Sequence, residues 1–221
     1  MLIKLEYIWV DSKNTLRGKT KIWDFDPHKY PKYNTLRKNG PCPEELPIWG
    51  DKSVKSIFDV NLLLIPNRVV VDPKRKQSFL VMCDTSMTDE RLTTNEEEKF
   101  LFGFKQKYIL RKNNSPYSDI EEGIYCGLGY TRVLGREIME EHLDTCLSAG
   151  LKITDINAEE LLGQWEYNLM SEGNSVNEND LWISKYFLIR ICEKHNMFVE
   201  FYDSVSKEII VDNKKVEYEN Q

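Results

Sequence analysis

Residues 2–10, Leu-Ile-Lys-Leu-Glu-Tyr-Ile-Trp-Val, are dense in β-branched and aromatic side chains and predict a strand, with Asp11-Ser12-Lys13-Asn14 as a turn. A second strand over 15–23 completes a hairpin. Asp24, Asp26, Pro27, Pro31, Asn39-Gly40, Pro41, Pro43 and Pro47 make 24–47 a long irregular loop. Strands follow at 60–65 and 78–82, separated by the turn-like Val71-Asp72-Pro73-Lys74. Residues 84–99 are polar, with a short helix at 94–99. The strand at 100–110 alternates cleanly: Phe102, Phe104, Gln106, Tyr108 and Leu110 face one way, and Leu101, Gly103, Lys105, Lys107 and Ile109 the other. A loop at 111–129 leads to an amphipathic helix at 132–148, whose stripe is Leu134, Ile138, Met139, Leu143, Cys146 and Leu147, with Gly150 as its C′ residue. Strands at 152–158 and 164–169 come next, the latter with Trp165, Tyr167 and Leu169 on one face; Gly173-Asn174-Ser175 reads as a loop. A second helix at 179–195 takes Asn177 or Asn179 as its cap and turns Leu181, Trp182, Tyr186, Ile189 and Cys192 inward. A strand at 197–202 precedes a charged tail. This order of strands and helices is that of an α+β fold.

Composition narrows the function classes. In 221 residues, 41% are hydrophobic and 30% charged, enough apolar matter for a packed core. The net charge of −6 argues against a nucleic-acid binder held by general phosphate attraction. No apolar run approaches the ~18 residues of a membrane span, and the start, Met1-Leu2-Ile3-Lys4-Leu5-Glu6, has no signal-peptide apolar stretch. The five cysteines, Cys42, Cys83, Cys126, Cys146 and Cys192, are scattered and odd in number, without CxxC spacing. They predict reduced thiols in a cytoplasmic protein, and neither a zinc site nor a disulfide framework.

Short-range spacing carries little chemistry. Gly127-Leu128-Gly129 lacks the third glycine of a dinucleotide cradle and no P-loop Lys-Ser/Thr follows it. There is no G-x-S-x-G elbow. His28, His142 and His195 are far apart, and His142 reads as a surface or half-buried helical residue. Glu96-Glu97-Glu98 reads as a solvated helix start.

The longer blocks carry more. Glu6-Tyr7-Ile8-Trp9-Val10-Asp11 with Leu16-Arg17-Gly18-Lys19-Thr20-Lys21, Tyr125-Cys126-Gly127-Leu128-Gly129, Gly135-Arg136-Glu137-Ile138, and Cys146-Leu147-Ser148-Ala149-Gly150-Leu151-Lys152-Ile153 stand in order along the chain. So do Asn157-Ala158-Glu159, Gln164-Trp165-Glu166-Tyr167, Asp180-Leu181-Trp182-Ile183 and Arg190-Ile191-Cys192-Glu193. Together they resemble the glutamine synthetase family, in its eukaryotic-type branch, to about residue 203. The resemblance implies an N-terminal β-grasp domain at 1–85, a joining segment at 86–99, and a catalytic-type α+β domain at 100–221 that is C-terminally truncated.

The same resemblance exposes a departure. Where the family reads Phe-Gly-Met-Glu-Gln-Glu-Tyr, this chain reads Phe102-Gly103-Phe104-Lys105-Gln106-Lys107-Tyr108. By resemblance, Glu159 and Glu166 are surviving ligands of the family's first metal. Lys107 stands where the third ligand would be, and Lys105 where a glutamate of the second metal would be. The family's glycine-rich segment and metal-binding histidine are expected soon after Phe201, where Tyr202-Asp203-Ser204-Val205 departs from them. The family's Trp-x-Phe-Asp loop appears as Trp49-Gly50-Asp51-Lys52-Ser53, which makes Asp51 the catalytic candidate for helping to deprotonate ammonium.

Divalent cations that bridge phosphates need ligands of net negative charge. Lys105, Lys107, Glu159 and Glu166 sum to zero. An ammonium ~4 Å from a divalent ion costs about 8 kcal/mol at an effective dielectric of 20. The leading expectation is that the lysines pair with the glutamates in place of the ions. The alternatives are a lysine neutralised by burial, leaving the site open, and lysines that snorkel to water. The functional expectation is a glutamine-synthetase-like pseudoenzyme with a structural or regulatory role, and no cofactor. The alternative is an ATP-dependent glutamate–ammonia ligase using Mg²⁺ or Mn²⁺ and groups from another subunit, and a third reading is a decayed remnant. Sheet and helix faces left uncovered predict self-association or association with a full-length relative, and no nucleic-acid or membrane partner.

Overall fold

The computed structural model describes residues 2–11, 13–25, 42–55, 61–86, 100–112, 124–129, 133–173, 178–211 and 214–218. The helix expected at 94–99, the Glu96-Glu97-Glu98 cluster, His28 and most of the loop at 24–47 lie outside them. The chain falls into two compact units, residues 1–95 with 148–150 and residues 96–147 with 151–221. The architecture is α+β and mostly sheet.

The first unit is a mixed five-stranded sheet of β1 (Leu2–Val10), β2 (Leu16–Asp24), β3 (Trp49–Lys55), β4 (Asn61–Val71) and β5 (Ser78–Ser86), in the order β2-β1-β5-β4-β3. β1 and β2 form the antiparallel hairpin that the β-rich run and the turn at 11–14 predict. Asp11 ties the turn: its Oδ1 accepts from the Lys13 and Thr15 N–H groups and its Oδ2 from Arg17 Nε at 2.8 Å. Arg17, first, holds the Asp11 carboxyl below the usual aspartate value. β1 runs parallel to β5, so Ile3, Leu5, Tyr7 and Trp9 join Phe79, Val81 and Cys83 on one core face. Two sequence expectations need correction here. The stretch from Trp49, read as a loop, is strand β3, paired with β4. And β4 runs on to Val71 through Pro66, because a register shift between Pro66 and Arg68 absorbs the missing donor.

The second unit is an all-antiparallel sheet in the order β10-β9-β6-β8-β7. Its strands are β6 (Phe100–Lys112), β7 (Lys152–Ala158), β8 (Gln164–Gly173), β9 (Met197–Val211) and β10 (Lys214–Tyr218). Two helices, α1 (Arg136–Ser148) and α2 (Asn179–Lys194), meet the face that carries Tyr108, Trp165, Tyr167 and Leu169. α1 begins four residues later than its pattern predicts. It ends with Gly150 at φ +84°, while the Leu151 N–H reaches back to the Cys146 carbonyl at 3.0 Å, a helix-closing bond that glycine's missing Cβ permits. His142, expected near the surface, is 1% exposed, whereas Leu147 of the expected stripe is half exposed. α2 is capped by Glu178 without a side-chain bond, neither by Asn177, which lies outside the described residues, nor by Asn179, its first residue. Its buried stripe is Leu181, Ser184, Leu188 and Ile191 with Phe187 and Cys192; Trp182, Tyr186 and Ile189 are only half buried. The strand expected at 197–202 runs on to Val211 and pairs with β10.

Candidate functional site

The face of the second sheet opposite the helices carries the charged residues. Register explains which of them meet. Lys107 of β6 lies directly across from Glu166 of β8, and Glu166 directly across from Asn157 of β7, so the three form one row over three strands. Lys105, two residues before Lys107 and on the same face, lies across from Asn168. Glu159 follows the end of β7. Its N–H bonds to the Gln164 carbonyl at 2.9 Å, closing the β7–β8 turn and bringing its side chain beside the row.

The charges interlock. Lys107 Nζ donates to Glu159 Oε2 at 3.0 Å and lies 3.4 Å from Glu166 Oε2, and Lys105 Nζ lies 3.6 Å from Glu166 Oε1. Asn157 Nδ2 donates to Glu159 Oε1 at 2.9 Å. The result is a chain, Lys105–Glu166–Lys107–Glu159–Asn157, in which each charge faces one of opposite sign. The carboxylates are sunk, with side chains 9% and 11% exposed for Glu166 and Glu159, while those of Lys105 and Lys107 remain 40% and 38% exposed. The lysine stems thus span the sheet surface and turn their ammoniums inward. The hydrogen bond to Glu159, and then the charge of both carboxylates, hold the Lys107 ammonium above the ordinary lysine value against the cost of its desolvation.

Local backbone details position this row. β9 pairs with β6 at Gln106↔Val205 and again at Tyr108↔Phe201, so three residues of β9 bulge past Lys107. The buried Gln106 amide spans this irregularity, donating to the Tyr202 carbonyl at 3.1 Å. Gly163, at φ +83° in the β7–β8 turn, accepts from the Leu110 N–H at 2.9 Å and so pins β6 to the turn. Beside the cluster, the Cys126 N–H bonds to the Ala158 carbonyl at 2.9 Å. The neighbouring Tyr125 hydroxyl is pushed above the usual tyrosine value, first by Cys126 and further by Glu159 and Glu166.

The structure therefore brings together Lys105, Lys107, Glu159 and Glu166. Of the three lysine arrangements open from sequence, it holds the paired one. Asp51 lies in β3; its side chain is outside the described residues. Asn157, Asn168 and Asp155 complete the polar face, Asn168 Nδ2 donating to Asp155 Oδ1. Spacing alone did not single them out, although Asn168 lies two residues after Glu166 on one strand and Asn157 two before Glu159. The four charged groups fit a divalent cation poorly. The ammonium of Lys107 already contacts both carboxylates that such an ion would need, and among the described residues no group of three or more His, Cys, Asp or Glu is placed to hold a metal.

The second unit is thus an α+β unit whose sheet carries Glu166 on β8, beside Glu159 just past the end of β7. The chain is 36% identical over 223 residues to a glutamine synthetase of Rhizobium meliloti, covering 90% of this chain and 64% of that protein. It is 30% identical over 226 residues to glutamine synthetase cytosolic isozyme 2 of Vitis vinifera, covering 89% and 60%. It is 30% identical over 229 residues to the glutamine synthetase of Homo sapiens, covering 90% and 57%. No family model matches the chain. The chain belongs to the glutamine synthetase family, and it spans about three fifths of the length of the curated relatives it matches.

Proposed function

We propose that this chain is a glutamine-synthetase-like protein without metal-dependent ligase activity, whose role is structural or regulatory and is exercised on a second copy or a full-length relative. One observation carries the reading: the Lys107 ammonium lies 3.0 Å from Glu159 and 3.4 Å from Glu166, between the two acids that the family resemblance assigns to a metal. A fixed cation on a covalent stem balances those carboxylates at every magnesium or manganese concentration, and a divalent ion entering there meets like charge at contact distance. In the same reading the first unit is a β-grasp domain, supported by its mixed sheet with parallel central strands β1 and β5. The domains run 1–85 and 100–221, joined by 86–99. The protein works in the cytoplasm, which suits five cysteines that form no disulfide.

The names of the relatives favour a second reading, an ATP-dependent glutamate–ammonia ligase that binds Mg²⁺ or Mn²⁺ and takes missing groups, with Asp51 among the catalytic set, from another subunit. Incubation with glutamate, hydroxylamine and Mg·ATP separates the two. The pseudoenzyme gives no γ-glutamyl hydroxamate above a protein-free blank. Product that disappears in Glu159→Ala would falsify it. New activity on mixing with a full-length relative, dependent on Glu166 of this chain, establishes the second reading.

A further inference from the structure

On the helix-covered face, His142 of α1 is 1% exposed and stacks edge-on against Tyr167 of β8, with ring centroids 5.2 Å apart. Its Nε2 lies 3.0 Å from the Ser184 carbonyl on α2. A carbonyl only accepts, so Nε2 carries the proton and donates, which leaves Nδ1 as a lone-pair acceptor. Nδ1 is buried and has no partner among the described residues. The groups that contact the ring among the described residues are neutral. The Tyr167 hydroxyl pairs with Ser184 Oγ at 2.6 Å, and Ser184 Oγ donates to the Leu181 carbonyl at 2.9 Å. On α2, Asp180 and Lys185 are also buried, the Lys185 ammonium lying over the Trp182 and Phe201 rings at 4.5 and 5.2 Å; nearer the imidazole, among the described residues, the titratable groups are Tyr167 from β8, Tyr108 from β6, Cys146 from α1 and Cys192 from α2. Burial pushes all four up, Cys192 to about 12, so none is an anion near neutrality. Between the helices, Glu141 of α1 pairs with Lys194 at 3.0 Å and with His195 at 2.8 Å.

We propose that His142 is an acid-released latch: as the neutral imidazole it ties α1 to α2 over the sheet, and a proton added at Nδ1 opens that helix pair. The proton would sit on a buried nitrogen that, among the described residues, has no acceptor and no carboxylate in contact with its ring. Opening gives it water. Burial holds the imidazole down at about 4, against the ordinary ~6.5. The opened form therefore takes up its proton first as pH falls, and the closed form loses ground between those two values.

Amide hydrogen exchange of the whole chain at about pH 7 and about pH 5, corrected for intrinsic exchange rates, tests this. Segments 138–148 and 181–192 should open about twenty-fold more often at the lower pH. In His142→Gln, which can still donate to Ser184 but cannot titrate, the difference should shrink to a few-fold. Equal protection of the unsubstituted protein at both pH values overturns the latch, and so does a full twenty-fold change in His142→Gln. Should that variant not fold, an NMR titration of the His142 ring decides. A ring that stays neutral down to about pH 5 supports the latch, and one that titrates near its ordinary ~6.5 overturns it.

Discussion

Lys107 serves two carboxylates and Lys105 only one, and this asymmetry predicts different costs of removing them. Lys107→Met leaves the largely buried Glu159 without its cation and Glu166 with only Lys105, 3.6 Å away. Because the lysine is over a third exposed, the loss is discounted to about 1–2 kcal/mol in urea unfolding. Lys105→Met, whose ammonium lies 3.6 Å from its partner, should cost less than about 0.5 kcal/mol. Equal losses would mean that the bridging position has no special weight. The pH sense follows from the upward shift at Lys107. Its contribution is complete below the ordinary lysine value of ~10.4 and fades as pH rises through the higher folded value, so Lys107→Met and the parent should converge in stability only in strong alkali. Reversing the charges is the complementary experiment. In Lys105→Glu/Lys107→Glu, four carboxylates share the face and nothing balances them. This variant should bind Mn²⁺ in calorimetric titration where the parent shows no heat.

At the level of elements, the row exists because three strands are held in register and one turn is pinned. Gly163 does the pinning. A Cβ there would lie 2.9 Å from the Leu110 carbonyl, and the φ of +83° is one that side-chain-bearing residues avoid. Gly163→Ala should therefore cost about 2 kcal/mol, and it should loosen the Lys107–Glu159 contact because the neighbouring bond, from the Leu110 N–H to the Gly163 carbonyl, anchors β6 to the turn. A melting curve gives the first quantity, and a double-mutant cycle with Lys107→Met gives the second as a coupling that shrinks. Unchanged coupling would show that the turn does not set the distance. The β9 bulge acts at the other flank, where no β9 residue stands in register with Lys107 and the Gln106 amide donates to both the Lys107 and the Tyr202 carbonyls.

For the molecule as a whole, an internal ammonium in place of an external cation predicts a Tm indifferent to chelator. Addition of EDTA, Mg²⁺ or Mn²⁺ should move the midpoint by less than about 1 °C, since a ligand stabilises only a fold that binds it. An upward shift with millimolar Mn²⁺ would show that the carboxylates remain available. High salt should lower stability only slightly, because the carboxylate ends of the array are sunk and weakly screened.

How much of this was legible depends on how local each feature is. Alternation along 100–110 placed Lys105 and Lys107 on the face opposite Phe104, Tyr108 and Leu110, because a strand's period of two is a property of the backbone itself. The same logic placed Trp165, Tyr167 and Leu169 in the core, and Gly150 at the end of α1. Strand β3 escaped because it exists only through pairing with β4. The inner stripe of α2 was legible at Leu181 and Cys192 only, because a polar residue, Ser184, lies on it while Trp182 and Tyr186 lie partly off it, a choice made by the tyrosine hydroxyl waiting on β8. The depth of His142 escaped for the same reason: one helical turn looks alike whether it meets water or a tyrosine ring. By itself, then, the sequence determined which charges share a side of a strand and that they balance. Only the tertiary structure decided that Lys107, some fifty residues from Glu159, takes both acids, because inter-strand register is set by contacts that no local pattern encodes.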